Sequence, residues 1–317
     1  MKKTWYLIIG VVLLVIGCIA YGYHEHYKPK TAQELKTVRV AYLPITHALP
    51  VFATKELETA DGPVHVELVK YGSWPELMDA LNTGKVDAAA VLVELGVKAR
   101  EQGIDVRAAA LGHTEGNIII VNKDINSVQD LKGKSFAIPH KQSTQKVLVD
   151  CMLEEAGLSE KDVQIVEMSP PEMPSALSVG QIAGYSVAEP FGSLALEMGT
   201  GKVFEDPDHL WHDNICCALV FNGQFVDEHH DLAKAFTKAY LDAGEYLDEH
   251  PKAQEEISLK YMKFNDPVIE RSLKVIGFKD LALTEDRYNA LVHHMTHIDL
   301  IKNVPSYSEF VDQTLLP

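Results

Sequence analysis

The residue with the most informative chemistry is Glu189, which stands immediately before Pro190 at a predicted helix start. Such a carboxylate either interacts with the helix dipole or, if it faces a cleft, pairs with an amine or another N–H donor of a ligand. The loops predicted to contact a ligand contain Lys141 as their basic residue and no arginine. These residues favour a neutral or amine-bearing metabolite, such as a heterocycle, over a small anion held by an arginine clamp. An anion held by helix amides, or with a metal or a protonated histidine beside Glu189, stays open.

Further polar side chains follow predicted strands, where ligands bind in open α/β sheets. Ser143 and Thr144 could grip an acceptor group, although capping of a helix explains a serine at this position equally well. Trp74 could stack on a ring or cation, or pack beneath its own helix. A lone histidine is usually structural, but two at strand ends favour a binding role. The predicted ligand-binding set is Thr46, His47, Trp74, Glu94, His113, His140, Ser143, Thr144 and Glu189.

Neither a metal site nor a redox pair is predicted, although two pairs of residues raise the question. His293 and His297 are one helical turn apart but lack the glutamate of a zincin motif, so we interpret them as part of a surface helix. Cys216 and Cys217 could form a redox pair, and on an apolar strand they are most simply small buried residues. The sequence therefore predicts no catalytic residue, no metal and no cofactor.

Composition excludes several other classes. The chain has 317 residues with 45 acidic and 29 basic side chains, and its formal charge of -16 disfavours nucleic-acid binding. The run Gly133–Ser135 resembles the end of a phosphate-binding loop, but Val128 stands where that motif requires glycine. Any ATPase must therefore be another subunit.

The N-terminus has the layout of an export signal. Lys2 and Lys3 precede an apolar run from Trp5 to Ile16. The run ends in Val15–Cys18, which resembles a bacterial lipobox and implies cleavage before Cys18 and acylation of its thiol. Residues 1–17 are then a signal peptide and residues 18–37 a lipid-anchored tether, so that the protein lies on the extracytoplasmic face of the cell membrane. An uncleaved membrane anchor is the alternative.

Beyond the tether, short apolar runs alternate with helical stretches. Strands are predicted at 38–43, 64–69, 86–91 and 106–111, then at 136–138, 163–166, 184–187 and 215–221, and the chain from 231 onwards is almost entirely helical. This alternation predicts an α/β protein with mostly parallel sheets flanked by helices. Polar, turn-rich segments near 124–134 and at Asn222–Gly223 suit two crossovers between the lobes of a hinged binding protein.

Several motifs in order resemble one family. They include Val40–Ala48, Gly84–Ala89, Asp130–Lys134, Gly180–Tyr185 and Glu189–Phe191. Together they are similar to the nitrate/sulfonate/bicarbonate (NMT1-like) group of ABC-importer substrate-binding proteins. The resemblance implies a two-lobed periplasmic-binding-protein type 2 fold, with lobe one formed by 38–123 plus 223–317 and lobe two by 124–222.

The same resemblance implies a function. The expected protein is a monomeric extracytoplasmic lipoprotein, not an enzyme, that captures a small metabolite between two lobes and delivers it to an ABC permease with a separate ATPase. Two alternatives stay open. One is an enzyme on the same fold, similar to a pyrimidine synthase, and the other is a lipoprotein that presents its ligand to a sensor.

Overall fold

The computed structural model of the protein describes residues 36–317. The predicted signal peptide, Cys18 and nearly all of the predicted tether lie outside the described residues. Residues 38–317 form one compact unit. Within residues 36–317, none of the helices combines the length and the apolar character needed to cross a membrane.

The strands belong to two five-stranded sheets and one short ribbon. In chain order they are β1 Thr37–Tyr42, β2 His65–Lys70, β3 Ala88–Leu92, β4 Val106–Leu111, β5 Thr114–Glu115, β6 Asn117–Asn122, β7 Ser135–Ile138, β8 Gln164–Glu167, β9 Gly184–Ala188, β10 Gly201–Val203, β11 Cys217–Asn222 and β12 Ile276–Gly277. The first sheet has the order β2-β1-β3-β11-β4 and the second the order β10-β6-β9-β7-β8. Strands β5 and β12 form the ribbon.

Helices connect the strands and form most of the C-terminal part. They are α1 Leu49–Leu57, α2 Trp74–Asn82, α3 Val93–Glu101, α4 Thr144–Glu155, α5 Met173–Ser178, α6 Phe191–Glu197, α7 Pro207–Leu210, α8 Gly223–Glu228, α9 His230–Glu249, α10 Pro251–Met262, α11 Asp266–Ser272, α12 Glu285–His297 and α13 Tyr307–Phe310. Short 3-10 turns occupy Thr46–Ala48, Val128–Leu131, Pro170–Glu172, Leu273–Val275 and Gln313–Leu315.

The central strands are buried along their whole length. Strands β3, β9 and β11 have no exposed residue, and their sequences consist mainly of apolar and small residues. Such sequences are typical of strands that are covered on both faces. The predicted α/β fold class, with helices flanking the sheets, is therefore confirmed.

Each sheet contains one reversed strand within the mostly parallel arrangement that the sequence predicts. Strand β1 runs parallel to β3, but β11 runs antiparallel to both of its neighbours, β3 and β4. In the second sheet, β7 is parallel to β8 and β9, whereas β6 is antiparallel to β9 and β10. The reversed strand is in each case the one by which the chain enters the sheet from the other sheet, β6 in the second and β11 in the first.

The strands of each sheet do not follow the lobe boundaries that the sequence predicts at residues 124 and 222. Strand β6 belongs to the second sheet and β11 to the first, so the chain passes between the sheets at residues 112–116 and 204–216. We call these segments the two crossovers. The sequence pattern shows where a strand lies but not which sheet accepts it, and the lobe boundaries themselves stay a prediction.

Candidate functional site

Two histidines and two cysteines meet at one edge of the first sheet. His47 lies in the 3-10 turn after β1, and His113 lies two residues beyond the end of β4. Cys217 begins β11, and Cys216 precedes it. Because β11 runs antiparallel to its neighbours, its first residue lies beside the ends of the others. The fold therefore brings together side chains from three distant parts of the chain.

The contacts within this group are close. The Nδ1 atom of His47 lies 3.6 Å from the Sγ atom of Cys216 and 3.5 Å from that of Cys217, and the two sulfurs are 3.8 Å apart. The rings of His47 and His113 have centroids 3.6 Å apart. All four side chains are buried, with at most 1% exposed. We call these four residues the His–Cys cluster.

A backbone carbonyl fixes the orientation of His47. The Nε2 atom of His47 lies 2.9 Å from the carbonyl oxygen of Gly116. Since a carbonyl oxygen only accepts, Nε2 carries the hydrogen of this bond, and Nδ1 faces the two sulfurs. Gly116 has a φ of +82°, and a Cβ atom there would lie 2.8 Å from Ile276. Glycine thus permits this close approach of crossover and ring.

Burial and neighbouring groups shift the acid–base equilibria of the cluster. Burial, reinforced by His47, lowers the pKa of His113 to about 4. Burial alone would raise the pKa of Cys216, but contact with Cys217 and the two histidines lowers it well below its ordinary value. Burial and the adjacent Cys216 raise the pKa of the Cys217 thiol. Cys216 is therefore the more acidic thiol, and the His113 ring is neutral near pH 7.

Glu94 and Thr144 form a buried hydrogen-bonded pair beside the cluster. The Oγ1 atom of Thr144 lies 2.6 Å from Oε1 of Glu94 and 2.7 Å from the carbonyl oxygen of Ile215. A hydroxyl has one hydrogen, so donation to Ile215 requires a protonated Glu94 that donates to Thr144. Burial, with a further contribution from Cys216, raises the pKa of Glu94 well above its ordinary value. Geometry and burial both favour the neutral acid.

A chain of amides extends the site to the second sheet. Gln145 donates from Nε2 to Oδ1 of Asn117, at 2.7 Å, and also lies 3.3 Å from Sγ of Cys216. Asn117 in turn donates to Asn214, at 3.1 Å. Gln145 belongs to α4 and Asn117 to β6, which are elements of the second sheet and its helices. The site therefore contains side chains associated with both sheets.

Several buried polar atoms of the site have no hydrogen-bond partner among the described residues. They are Oε2 of Glu94, both ring nitrogens of His113 and Oε1 of Gln145. A buried polar atom without a partner costs about 1–3 kcal/mol, so each requires an explanation. Their grouping around the His–Cys cluster marks the place where a ligand would supply partners.

Glu189 is buried and its carboxylate already has partners. Its Oε2 and Oε1 atoms accept hydrogen bonds from the backbone N and the Oγ of Ser193, at 2.9 and 2.8 Å. Its backbone carbonyl accepts from N and Oγ1 of Thr46, at 3.0 and 2.9 Å. Burial raises the pKa of Glu189, although the bonds from Ser193 oppose this. These contacts match the helix-start alternative, and Thr46 joins the end of β9 to the turn that carries His47.

The remaining predicted residues have other surroundings. Ser143 accepts from the backbone N of Lys146, at 3.1 Å, and so caps α4 as the simpler alternative predicted. Trp74 and His140 line a pocket of about 150 Å³ together with residues that include Lys98. Trp74 is buried, with 3% exposed. A role of these three residues in ligand binding stays a prediction.

Sequence reasoning missed Cys216, Cys217 and Gln145. The apolar strand around the two cysteines favoured small buried side chains over a redox pair. Cys216, however, lies just outside β11. The available signal was a pair of cysteines at a strand start together with two histidines after other strands. It could not be used without knowing that β11 lies in the first sheet.

Comparisons with known proteins show which family the chain belongs to. A family model described as the NMT1-like family matches residues 31–260. A ligand-binding component of an ABC-type import system from Staphylococcus aureus, described with zinc bound, shares 35% identity at a TM-score of 0.84, covering 88% of this chain and 97% of its own. The Escherichia coli taurine-binding periplasmic protein is 29% identical over 68% of this chain and 67% of its own length.

A third relative is much longer than this chain. The Synechocystis protein named as a nitrate import ATP-binding protein is 26% identical over 239 residues, which are 68% of this chain but 36% of that protein. The match therefore concerns one part of that protein.

Proposed function

Because the chain belongs to the NMT1-like family, we propose that it is the solute-binding component of an ABC importer that acts outside the cytoplasm. The predicted family and the periplasmic-binding-protein fold are confirmed by the family model and by the similarity to the Staphylococcus aureus protein. In this proposal the protein captures a small molecule and delivers it to a permease whose ATPase is a separate subunit. Binding-protein names among the relatives fit a role without catalysis.

The observation that carries the proposal is the set of unpartnered buried polar atoms next to the His–Cys cluster. Glu94 comes from an element of the first sheet and Gln145 from one of the second. A ligand that contacts both would satisfy polar atoms that otherwise cost free energy. Contacts from two sheets also suit a protein that closes around its ligand.

The chemistry of these atoms favours a neutral ligand with N–H groups. Oε1 of Gln145 accepts hydrogen bonds, and so does the unpartnered Oε2 of Glu94, since the acid proton of Glu94 is donated to Thr144. We therefore propose Oε2 of Glu94 and Oε1 of Gln145 as the central ligand contacts. Thr46, His47, His113 and Thr144 belong to the predicted set and lie beside them. Glu189, Ser143, Trp74 and His140 complete the predicted set, although the Glu189 carboxylate and the Ser143 hydroxyl already have partners within the protein.

Native mass spectrometry of the full-length protein, followed by thermal-shift measurements, tests this proposal. The solutes to compare are taurine, nitrate and a panel of heterocyclic amines. We expect a co-purified small molecule or a saturable stabilisation by one of these solutes. Gln145→Leu removes the unpartnered acceptor and should weaken binding by about 1 kcal/mol, roughly fivefold.

The exposed Gln181 provides the matched control, and Gln181→Leu should bind like the wild type. A folded wild-type protein that carries no small molecule and is stabilised by no tested solute would contradict the proposal. So would equal affinities of the Gln145 and Gln181 variants.

The same proposal includes export and a lipid anchor at Cys18, with a monomeric protein on the extracytoplasmic face of the membrane. Its support is the basic and apolar N-terminus that ends in the lipobox-like Val15–Cys18. Fatty-acid labelling of the wild type, lost in Cys18→Ser, is the expected result. Cleavage of the wild type without label would contradict this part alone.

A further inference from the structure

We propose that His47, His113, Cys216 and Cys217 form a tetrahedral site with four protein ligands for a soft or borderline metal ion, in the first place Zn²⁺. In this proposal the ion stays with the protein and joins the two crossovers. The inference stands on the geometry of the cluster and is independent of which solute the protein delivers. It also revises the sequence-based expectation that the chain has no metal site.

The distances between donor atoms match those of a metal site. With Zn–S bonds of ~2.3 Å and Zn–N bonds of ~2.0–2.1 Å, a tetrahedron places two sulfurs ~3.8 Å apart and a nitrogen ~3.6 Å from each sulfur. The observed separations are 3.8 Å between the sulfurs and 3.6 and 3.5 Å from Nδ1 of His47. Three of the four ligands therefore already have the required arrangement.

His113 is able to provide the fourth ligand. All four donor atoms lie within 4.8 Å of one another, so a movement of about 1 Å completes the tetrahedron. Neither ring nitrogen of His113 has a hydrogen-bond partner among the described residues, so this movement breaks no bond. Hydrogen bonding between thiols and Nδ1 of His47 explains part of the cluster without a metal, but it leaves the buried His113 unexplained.

The surroundings of His47 resemble the outer shell of a metal site. A metal-bound imidazole usually donates its other N–H to a carbonyl or carboxylate, which fixes the ring. The bond from Nε2 of His47 to Gly116 has this form, and it directs Nδ1 to the sulfurs. Gln145 approaches Cys216 from Nε2 at 3.3 Å and would stabilise a thiolate there.

Charge balance and donor type select the kind of ion. Two cysteine thiols lose their protons when they bind a divalent ion, so that two negative charges and two positive charges give a neutral buried site. Thiolate and imidazole donors suit Zn²⁺ and similar ions, whereas Mg²⁺ and Ca²⁺ prefer oxygen. Four protein donors also complete the coordination, which is typical of structural sites.

The position of the ligands indicates a resident ion rather than a transported one. His47 and Cys217 belong to the first sheet and its turn, while His113 lies in the first crossover and Cys216 at the end of the second. No ligand comes from an element of the second sheet, so closure of the two lobes would neither create nor open the site. A bound ion would instead hold the crossovers against the first sheet.

Metal analysis of the full-length protein tests this inference. Protein equilibrated with Zn²⁺ under reducing conditions and then desalted should retain about one zinc per chain. Replacement by Co²⁺ should produce the visible absorption of tetrahedral cobalt and thiolate charge-transfer bands. Cys216→Ser and Cys217→Ser should each weaken metal binding roughly 100-fold or more, because loss of even an outer-shell partner costs about 10- to 100-fold.

Controls exist for both ligand types. Cys151→Ser and His293→Gln alter a cysteine and a histidine outside the cluster and should retain the metal. Circular dichroism shows whether each variant is folded, and the cobalt spectrum of the wild type tests the site even if a variant does not fold. Zinc removal should increase hydrogen exchange in residues 112–116 and 204–216.

Three outcomes would overturn the inference. They are a wild type that retains no metal with its thiols reduced, full retention by the folded Cys216 and Cys217 variants, or unchanged exchange in both crossovers after zinc removal. The result is separable from the proposed function. Solute binding without a retained metal refutes only this inference, and a retained metal without solute binding refutes only the proposed function.

Discussion

Ser143 and Thr144 are adjacent hydroxyl residues with different roles in the structure. Ser143 accepts from Lys146 and donates to the carbonyl oxygen of His140, at 2.7 Å, so both of its contacts are made within the start of α4. Thr144 points instead to Glu94 and the end of the second crossover. Of the two, only Thr144 contacts a residue of the proposed ligand site, Glu94.

We therefore expect Ser143→Ala to affect stability and not binding. Loss of an N-cap serine costs about 1 kcal/mol, and urea denaturation should show a corresponding decrease in the free energy of unfolding. Ser175→Ala, at an exposed helix position, should change stability little. A variant as stable as the wild type, with solute affinity reduced tenfold, would show that the hydroxyl belongs to the site after all.

Among the residues of the candidate site, the sequence predicted the ones that follow β1, β3 and β4. Apolar runs in the sequence show where strands end. The polar residues that follow them are candidate ligand contacts, whichever sheet the strand joins. His47, Glu94 and His113 were found in this way. Cys216 and Gln145 were not, because their roles depend on which segments meet in space.

Among the elements, α3 is tied to the C-terminal segment by Glu101. Its Oε1 atom accepts hydrogen bonds from the backbone N atoms of Lys302 and Asn303, both at 2.8 Å, and Lys98 pairs with the same carboxylate. The bond from Asn303, followed by those from Lys98 and Lys302, lowers the pKa of Glu101 to about 2. One side chain thus connects a helix of the first sheet with the last part of the chain.

This lowered pKa predicts a pH dependence of stability. Because the folded pKa of about 2 lies below the ordinary value of 4.5, Glu101 stabilises the fold above pH 4.5, and this contribution is lost as the pH falls towards 2. Glu101→Gln should lower stability at pH 7 by about 1 kcal/mol, given the partial exposure of the group. The variant should then lose less stability than the wild type upon acidification.

The exposed Glu249 is the control, and Glu249→Gln should follow the wild-type curve. Urea unfolding measured at several pH values compares the three proteins. Parallel curves for Glu101→Gln and the wild type between pH 7 and pH 2.5 would contradict this role of the carboxylate.

At the level of elements, the sequence predicted most strands and the helical C-terminal part. It did not predict strand β6, and it did not predict that β11 belongs to the first sheet. The pairing partners of an apolar strand depend on contacts distant in sequence, and β11 is buried on both faces. A strand with this pattern fits the centre of either sheet.

For the whole molecule, the burial of the site implies a change of shape. The side chains of Glu94, Thr144 and Gln145 have at most 1% exposed, so a solute cannot reach them without some opening of the structure. The two crossovers are the only covalent links between the sheets in residues 36–317, and they are the natural hinge. The order of the motifs in the sequence predicted the fold. It did not predict how completely the structure encloses the site.

We expect small-angle scattering to record this opening. Protein freed of solute should have a larger radius of gyration than protein saturated with the identified solute, because only the closed form makes both sets of contacts. The sample freed of solute by unfolding and refolding is the reference. Identical scattering curves at proven saturation would indicate a rigid protein with another route of entry.

The place of β11 between β3 and β4 also has a consequence for how the chain assembles during synthesis. The ribosome delivers the N-terminal strands first, yet the first sheet lacks its fourth strand until residues 217–222 have been made. The second sheet comes from the continuous segment 117–203 and closes shorter loops, so it is able to form earlier. Until β11 arrives, β3 has an unpaired edge and β4 has no place in the sheet. The half of the molecule that is made first is therefore the half that is finished last, and it is the part whose exposed edges most need a chaperone.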